Sequence, residues 1–498
     1  MDFNSKWIVP ILIIGSVFML VNASSDEDDY QRCEIAVNNW AASQLSQEVK
    51  EDKHTLRDLL FFLHIPRTGG RTYFHCFLKK LYSSKLECPR SYDKLRFNPR
   101  KAHCRLLVTH DDYSMMTKLP HDKTSVVTIL RNPVDRVFST YEFSIEVAAR
   151  FLVHPNLTSA MQMAGRLRKK NNVVSTLDIW PWKYLVPWMR EDLFSRRDAR
   201  VSQNLNHVSK DSYNMEDFAM PLLQYINDPI ALDIVHNGAT FQVAGLTNNS
   251  NLAESHEVRM CVQKYHSLGD SVLDVAKRRL DNMLYVGLTE DHKGSATTFA
   301  HVVGAQVISQ LVGSNSSMDH QANNITEQSY SHAASESQHG QHTSISIDES
   351  PSNIPTADGE FRKSEMTVGK LMESYESCIG NLRKSQSQRR ITSLKRISPV
   401  NYTKEARRQV PESVIEQIIS LNRLDMELYK YAKKLFAGQH EQTVQKLLKL
   451  QERQNGILMN SFTAPPWENI SLIMAVVLVI VAISVFVNAR RRMSKVKI

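Results

Sequence analysis

Residues 61–74, FFLHIPRTGGRTYF, run from an apolar strand-like stretch through a turn with two glycines into a helix-like stretch. Gly69 and Gly70 allow a ligand to approach the backbone closely, and the N–H groups around them can point at an anion at the start of a helix. A strand, a glycine turn and a helix in this order predict a phosphate-binding loop. An ordinary strand-to-helix connection is the alternative for a Gly-Gly turn taken alone.

The polar groups of this loop differ from those of a Walker A loop, whose G-x-x-x-x-G-K-[ST] spacing is absent. Here Arg67 supplies the cation, and Thr68 and Thr72 supply hydroxyl groups. The residues that we assign to the loop are Pro66, Arg67, Thr68, Gly69, Gly70, Arg71 and Thr72.

A second motif lies at residues 124–143, TSVVTILRNPVDRVFSTYEF. Arg131 stands at the end of a strand, Pro133 where a helix would begin, and Ser139 about two turns along that helix. An arginine and a hydroxyl group at this spacing can share one phosphate. Taken singly, the two residues read as a surface cation and an ordinary helical serine. Two anion-binding turns at two strand ends predict a nucleotide with phosphates at both its 5′ and 3′ sides.

Short apolar strands alternate with helices between residues 55 and 305. The predicted strands are residues 58–65, 104–110, 124–130 and 284–288. This alternation predicts an α/β fold with a central parallel sheet flanked by helices. Ligands of such sheets bind beyond the carboxyl ends of the strands, which is where both motifs lie.

The two ends of the chain carry apolar runs. Residues 1–23 have the features of a signal peptide: Lys6 precedes an apolar run from Trp7 to Val21, and the segment ends at the small residue Ala23. Residues 470–487 are long enough nearly to cross a bilayer and predict a transmembrane helix. The basic residues of 488–498 then place that tail in the cytosol. A buried core helix is the alternative for each run.

The body of the chain is accordingly expected on the lumenal side. Six cysteines can pair in an oxidising compartment, although spacing alone does not fix the pairing. Sequons for N-glycosylation begin at Asn156, Asn248, Asn315, Asn324 and Asn401.

Composition divides the lumenal part further. An N-terminal segment, 24–54, precedes the main domain, 55–312. Residues 313–365 are rich in Ser, His and Gln, and we expect them to be disordered because they offer little apolar surface to bury. Residues 366–440 complete the domain with helices, including an amphipathic helix over 411–436. A stalk, 441–469, leads to the membrane.

Both motifs resemble those of Golgi sulfotransferases that use 3′-phosphoadenosine-5′-phosphosulfate (PAPS). PRTGGRT is similar to their 5′-phosphosulfate loop and RNPVDRVFS to their 3′-phosphate motif. AKRRLDNMLYVGLTE and LNRLDMELYKYAKKLF resemble later parts of the heparan sulfate 6-O-sulfotransferases. The length and both ends resemble the tyrosylprotein sulfotransferases of plants. The resemblance implies a P-loop-like sulfotransferase fold, PAPS as donor without a metal, and a Golgi membrane protein of single-pass type I.

The resemblance also suggests the acceptor. Arg67 stands where glycan sulfotransferases have lysine and animal tyrosylprotein sulfotransferases have arginine. Residues 110–116, HDDYSMM, replace a tryptophan-containing stretch of the glycan enzymes, which argues against a sugar acceptor. The formal net charge of +9 suits acidic peptides with Asp beside Tyr. A nucleic acid is not expected, because a lumenal chain would not meet one.

Two residues are predicted to carry the chemistry. His110 matches the proposed base of the family and can accept a proton near neutral pH. Arg67 would neutralise charge on the departing phosphate. His64 is the alternative base, and a hydrogen-bonded structural role is the alternative for His110. A glycan O-sulfotransferase and a non-catalytic membrane-anchored binding protein remain alternative functions.

Overall fold

The computed structural model describes ten stretches of the chain. They are residues 8–47, 54–88, 104–153, 213–214, 220–311, 366–394, 397–398, 407, 409–462 and 474–486. The chain divides into two compact units, Met1–His440 and Glu441–Ile498. The predicted disordered insert, 313–365, lies outside the described residues.

A parallel sheet of four strands forms the centre of the first unit. The strands are β1 (Leu59–Leu63), β2 (Leu106–Thr109), β3 (Thr124–Leu130) and β4 (Tyr285–Leu288), in the spatial order β2-β1-β3-β4. Every position of these strands is buried, as expected for a parallel sheet covered on both faces. The predicted strands and the central parallel sheet are confirmed, with ends that differ by at most two residues.

Helices cover both faces of the sheet. They are α1 (Ile8–Gln47), α2 (Gly70–Tyr73, continued by a π-turn at Phe74–Leu78 and by Lys79–Leu81), α3 (Pro133–Val153), α4 (Leu222–Ile226), α5 (Leu232–Val235), α6 (Gly238–Val243), α7 (Ser255–Lys264), α8 (Gly269–Asn282), α9 (His292–Phe299, with a π-turn at Ala300–Gly304), α10 (Val368–Leu394), α11 (Glu412–Leu421) and α12 (Arg423–Phe462). Short 3₁₀ turns occupy Tyr113–Lys118, His121–Lys123 and His266–Leu268, and Tyr213–Asn214 pairs with Ile397–Ser398.

Successive residues of β1 enter opposite cores because side chains alternate along a strand. Phe61 packs in the core that contains residues of α1, α6, α8 and α12. Phe62 packs in the core that contains residues of α2, α9 and α10. The carboxyl ends of β1, β3 and β4 are thereby held side by side, where the two motifs begin.

Helix α1 is part of this core as well as of the chain's N-terminal region. Val37 and Trp40 are buried against the domain, and Cys33 is bonded to Cys261 of α7. The helix runs through position 23, the predicted end of the signal peptide. Cleavage at that position stays a prediction.

Three disulfides pair all six cysteines, which the spacing alone did not determine. Besides Cys33–Cys261, they join Cys76 to Cys378 and Cys88 to Cys104. The Cys76–Cys378 bond ties α10 to the π-turn that continues α2, across a sequence separation of 302 residues.

The amphipathic helix predicted over 411–436 is broken at Asn422. The side chain of Asn422 accepts a hydrogen bond from Asn237 N at 3.1 Å. The side chain of Asn237 accepts in return from Leu424 N at 2.8 Å and thus satisfies the start of α12. Ile418 on α11 and Leu428 on α12 are buried, which confirms the predicted apolar stripe. The prediction of one continuous helix was wrong.

In the second unit, residues 474–486 are helical and present exposed apolar side chains. Among the helices that the structure describes, none combines the length and the apolar character that a membrane crossing requires. The predicted transmembrane helix covers 470–487, and its residues 470–473 and 487 lie outside the described part.

Candidate active site

The loop after β1 has an unusual backbone. Gly69 has a φ of 85° and Arg67 a φ of 67°, both in the left-handed region. Glycine adopts this conformation freely, whereas a residue with a side chain does so at a cost of about 1–3 kcal/mol. Helix α2 begins at Gly70, so the N–H groups of its first turn face the loop.

Neighbouring strands hold the loop in this shape. The Thr68 hydroxyl donates to Ile65 O at 2.9 Å. Thr289, which follows β4, donates through its hydroxyl to Thr68 O at 2.7 Å and to Leu130 O at 3.1 Å. Thr289 therefore connects the ends of β1, β3 and β4 at the loop.

The second motif begins a helix where the sequence predicted one. Asn132 accepts hydrogen bonds from Val134 N at 3.0 Å and Asp135 N at 3.3 Å and so caps α3, whose first residue is Pro133. Ser139 is buried about two turns further on. Both features agree with the sequence analysis.

The two motifs meet through Arg67. Its Nε donates to Ser139 Oγ at 3.2 Å, across 72 residues of sequence. Its guanidinium also lies 4.4 Å from the centre of the Phe143 ring. Arg131 Nη1 donates to Arg67 O at 3.2 Å, so the second motif supports the left-handed conformation of the first.

The electrostatics of this meeting point favour an anion. Burial, and then the neighbouring Arg131 charge, lower the pKa of Arg67 to about 10. Burial also lowers the pKa of Arg131. Arg131 Nε is buried and has no hydrogen-bond partner among the described residues. An anion placed here would relieve the repulsion between the two cations and could accept from the remaining donor.

Two carboxylates on α3 close to these cations are engaged by another arginine. Arg407 Nη2 contacts Glu142 Oε1 at 2.6 Å, and Arg407 Nη1 contacts Asp135 Oδ1 at 3.3 Å. These pairs reduce the ability of Glu142 and Asp135 to compete for Arg67 and Arg131, whereas the nearby charge of Glu146, on the same helix, raises the pKa of Arg67.

His64 and His110 lie together at the ends of β1 and β2. Their rings stack with centres 4.2 Å apart and an angle of 28° between the ring planes. Phe62 stacks on the His64 ring at 5.7 Å. His64 also faces the start of α2, because a Cβ on Gly70 would lie 2.4 Å from His64 Cδ2. The predicted base and its alternative therefore belong to one cluster beside the loop.

A cavity of about 180 Å³ opens beside the loop. Thr68, Gly69 and Thr72 form one side, and Arg383 and Gln386 of α10 lie on another. The cavity thus combines the predicted loop with a helix that follows the insert in sequence.

Residues 111–116 do not form an acceptor surface. They are buried, and the Asp112 carboxylate caps the 3₁₀ turn by accepting from Ser114 N at 3.0 Å. Asp112 also accepts from Thr247 N at 3.0 Å and from the Thr247 hydroxyl at 2.7 Å. This stretch packs and anchors the chain, so its composition is no guide to the acceptor.

Three further residues of the site were missed in the sequence analysis. Thr289 directly follows a predicted strand, and its place at a strand end could have identified it. Gln242, which contacts the histidine cluster, and Arg383 carry no motif. Only the folded chain brings these two to the site.

Two comparisons of this chain with known proteins, one with protein families and one with individual proteins, both match sulfotransferases. Residues 31–184 match the family described as Sulfotransferase domain, and this range contains both motifs. The chain is 55% identical over 512 residues to the protein-tyrosine sulfotransferase of Arabidopsis thaliana. That alignment covers 100% of this chain and 100% of the relative. Both matches are to sulfotransferases.

Proposed function

The chain belongs to the protein-tyrosine sulfotransferase family, and on this premise we propose that it transfers the sulfuryl group of PAPS to tyrosine hydroxyls of acidic secreted peptides and proteins. The observation that carries the proposal is the contact between Arg67 and Ser139 beside Arg131, next to the stacked rings of His64 and His110. The anion-binding residues of both motifs and a proposed proton acceptor thus lie at adjacent strand ends.

The residues present fit PAPS as donor. Residues 66–72 would hold its 5′ side, where the backbone is open and the first turn of α2 offers N–H groups. Arg131, with its buried Nε, and Ser139 would hold the 3′-phosphate. The cavity beside Thr72 and Arg383 provides room for part of the nucleotide.

Each residue then has a distinct task in the transfer. PAPS supplies the sulfuryl group that is transferred. The phosphate to which this group was bonded leaves as part of 3′-phosphoadenosine 5′-phosphate. Arg67 neutralises negative charge that develops on the leaving oxygen. His110 accepts the proton of the tyrosine hydroxyl, which has an ordinary pKa of about 10 and is a poor nucleophile while protonated.

The acceptor preference rests on the similarity to a protein-tyrosine sulfotransferase and on the net charge of +9. The test uses the purified full-length chain with PAPS labelled in its sulfuryl group. An Asp-Tyr peptide, its Asp-Phe counterpart and desulfated heparan are offered in parallel. We expect label on the Asp-Tyr peptide alone.

Other outcomes would identify the alternatives. Label on heparan alone would indicate a glycan sulfotransferase, and no label on any acceptor despite PAPS binding would indicate a non-catalytic binding protein.

His110→Ala should lower kcat by roughly 10²- to 10⁴-fold with little change in donor affinity. Near-normal turnover of this variant would indicate that His110 is not the base, and His64 would be the next residue to test.

We further propose that the protein is a single-pass type I protein of the Golgi membrane with a lumenal active site. Pairing of all six cysteines supports an oxidising compartment. Protease added to intact microsomes should remove an epitope fused after residue 498 and leave the domain intact. Digestion of the domain under these conditions would contradict this orientation.

A further inference from the structure

A fully buried glutamine faces the backbone that carries both histidines. Gln242 lies on α6 and is 0% exposed. Its Nε2 donates to His110 O at 2.9 Å and to His64 O at 3.3 Å, and it lies 3.5 Å from Asp111 O. One side-chain amide therefore connects the carboxyl ends of β1 and β2 just beyond their last residues.

The orientation of this amide follows from its surroundings. Backbone carbonyl oxygens can only accept hydrogen bonds, so the group that faces them must be the NH₂ group. Gln242 Oε1 is buried and has no hydrogen-bond donor among the described residues. The hydrogen bonds found for this side chain are thus all donated, and all go to the histidine segments.

The same carbonyl of His64 also governs the ring of His110. His110 Nδ1 lies 2.7 Å from His64 O, and only a protonated Nδ1 can donate to that oxygen. In the neutral imidazole, Nε2 then carries the lone pair and can accept a proton. The position of His64 O therefore decides which nitrogen of His110 is available as base.

We propose that Gln242 is a positioning residue for the sulfuryl transfer. It holds the His64 and His110 carbonyls at a fixed separation and thereby keeps His110 in the Nδ1-protonated form, in which Nε2 carries the lone pair that takes the tyrosine proton. This inference rests on the proposed function for its catalytic consequence, although the tautomer itself does not depend on the substrate.

Helix α6 is fixed in turn by a buried ion pair that includes the donor-binding helix. Asp425 accepts from Thr240 N and from the Thr240 hydroxyl, both at 2.7 Å, and from Ala239 N at 3.2 Å. Arg136 Nη2 contacts the same carboxylate at 2.8 Å, and Arg136 lies on α3 between Arg131 and Ser139. Gln242 thus stands on a helix that buried contacts join to α3.

The test compares Gln242→Leu with Gln306→Leu in the full-length chain. Gln306 is a matched control because its Nε2 also donates to backbone carbonyls, those of His54 and Val302, away from the histidine pair. We expect Gln242→Leu to lower kcat on the order of 10- to 100-fold and to leave the Kd for 3′-phosphoadenosine 5′-phosphate within about twofold. Gln306→Leu should keep kcat.

The tautomer of His110 is the decisive second measurement. In ¹⁵N-histidine-labelled protein near pH 8, the wild-type resonances of His110, assigned with His110→Ala, should be those of the Nδ1-protonated form. In Gln242→Leu they should shift toward a mixture of both tautomers. A variant that retains the wild-type tautomer, or loses no more turnover than Gln306→Leu, would overturn the proposal.

A third variant guards against failure of Gln242→Leu to fold. Gln242→Glu keeps the shape of the side chain and regains a donor only when the carboxyl group is protonated. Its kcat relative to wild type should therefore fall as the pH rises, and a pH-independent ratio would count against the proposal. If tyrosine is not the acceptor at all, the proposed function fails while the tautomer measurement still decides the role of Gln242.

Discussion

At the scale of single residues, the feature that sets this site apart is a pair of neighbouring cations, Arg67 and Arg131. Arg131 donates to the carbonyl of Arg67, and the Arg67 side chain donates to Ser139. The pKa of Arg67, lowered to about 10, is still far above neutral, so its guanidinium is charged at physiological pH. The guanidinium of Arg131 is charged as well, because arginine keeps its proton in proteins. Two charged groups held together in a partly buried place are most stable when an anion joins them.

Replacing Arg131 by alanine should weaken donor binding without unfolding the domain. A charge-assisted hydrogen bond contributes about 1.5–3 kcal/mol, so the Kd for 3′-phosphoadenosine 5′-phosphate should rise roughly 10- to 100-fold. Ser139→Ala should have a smaller effect, since it removes a neutral hydroxyl group. Isothermal titration measures both.

Ser144→Ala is the control for these variants. Ser144 is a buried serine of the same helix, and its hydroxyl donates to Tyr141 O at 2.6 Å. The affinity of Ser144→Ala for 3′-phosphoadenosine 5′-phosphate should equal that of the wild type. Equal affinity of Arg131→Ala and wild type would remove this motif from the donor site.

At the scale of elements, the start of α2 is fitted against the end of β1. A Cβ on Gly70 would lie 2.4 Å from the His64 ring, and that ring also stacks with Phe62 and with His110. The ring therefore has little freedom to move aside. The absence of a side chain at Gly70 is a requirement of this packing as well as of the open loop.

Gly70→Ala should consequently displace His64 and lower kcat on the order of 10- to 100-fold. Gly380→Ala is the matched control, because Gly380 lies within α10 and a Cβ there would meet nothing within 4 Å. This second variant should keep full activity and gain about 0.5–1 kcal/mol in the free energy of unfolding, since alanine loses less backbone entropy than glycine. Steady-state kinetics and chemical denaturation measure the two effects, and normal kinetics of Gly70→Ala would contradict the packing argument.

At the scale of the whole molecule, disulfides hold together parts that are remote in sequence. Cys76–Cys378 spans 302 residues, whereas Cys88–Cys104 spans 16. The first bond joins α10, one wall of the cavity, to the segment that continues the phosphate-binding loop. We therefore expect it to stabilise both the fold and the proposed donor site.

The chain-entropy model predicts that the longer link stabilises the fold by about 2–3 kcal/mol more than the shorter one. Changing both Cys76 and Cys378 to alanine should thus lower Tm more than changing both Cys88 and Cys104. The first double variant should also bind 3′-phosphoadenosine 5′-phosphate less tightly. Thermal unfolding and titration test this, and an equal loss of Tm with unchanged affinity would argue against it.

The stability of the whole molecule should decrease in acid. Burial lowers the pKa of His236, and the hydrogen bond between its Nε2 and Ile226 O only partly opposes this effect. Burial lowers the pKa of His292 and His301 in the same direction. Unfolded histidine binds a proton near pH 6.5, so these groups favour the folded state fully above that pH and less as the pH falls through the lowered values.

The expected result is a Tm that falls between pH 7.5 and 5.5. His236→Gln should show a smaller fall than the wild type, because one of the three partly buried histidines no longer titrates. His121→Gln, at an exposed position, is the control and should follow the wild type. Identical slopes for His236→Gln and wild type would show that His236 does not contribute.

The sequence by itself determined the features that depend on local pattern. Short, mainly apolar runs predicted the four strands of the parallel sheet, because strands buried on both faces are mostly apolar. Pro133 predicted the first residue of α3, because its fixed φ suits the first turn of a helix. Both motifs were found from neighbouring residues, and they indicated a sulfotransferase before any distance was known.

Only the tertiary structure decided what depends on contacts between distant segments. Arg67 meets Ser139 because β1 and β3 are neighbours in the sheet, and Cys76 meets Cys378 because α10 covers the face on which α2 lies. Gln242 has no motif around it, and its place beneath the histidines follows from the packing of α6 against the ends of β1 and β2. Such contacts arise from the closure of long loops, and neither periodicity nor spacing along the chain encodes which loops close.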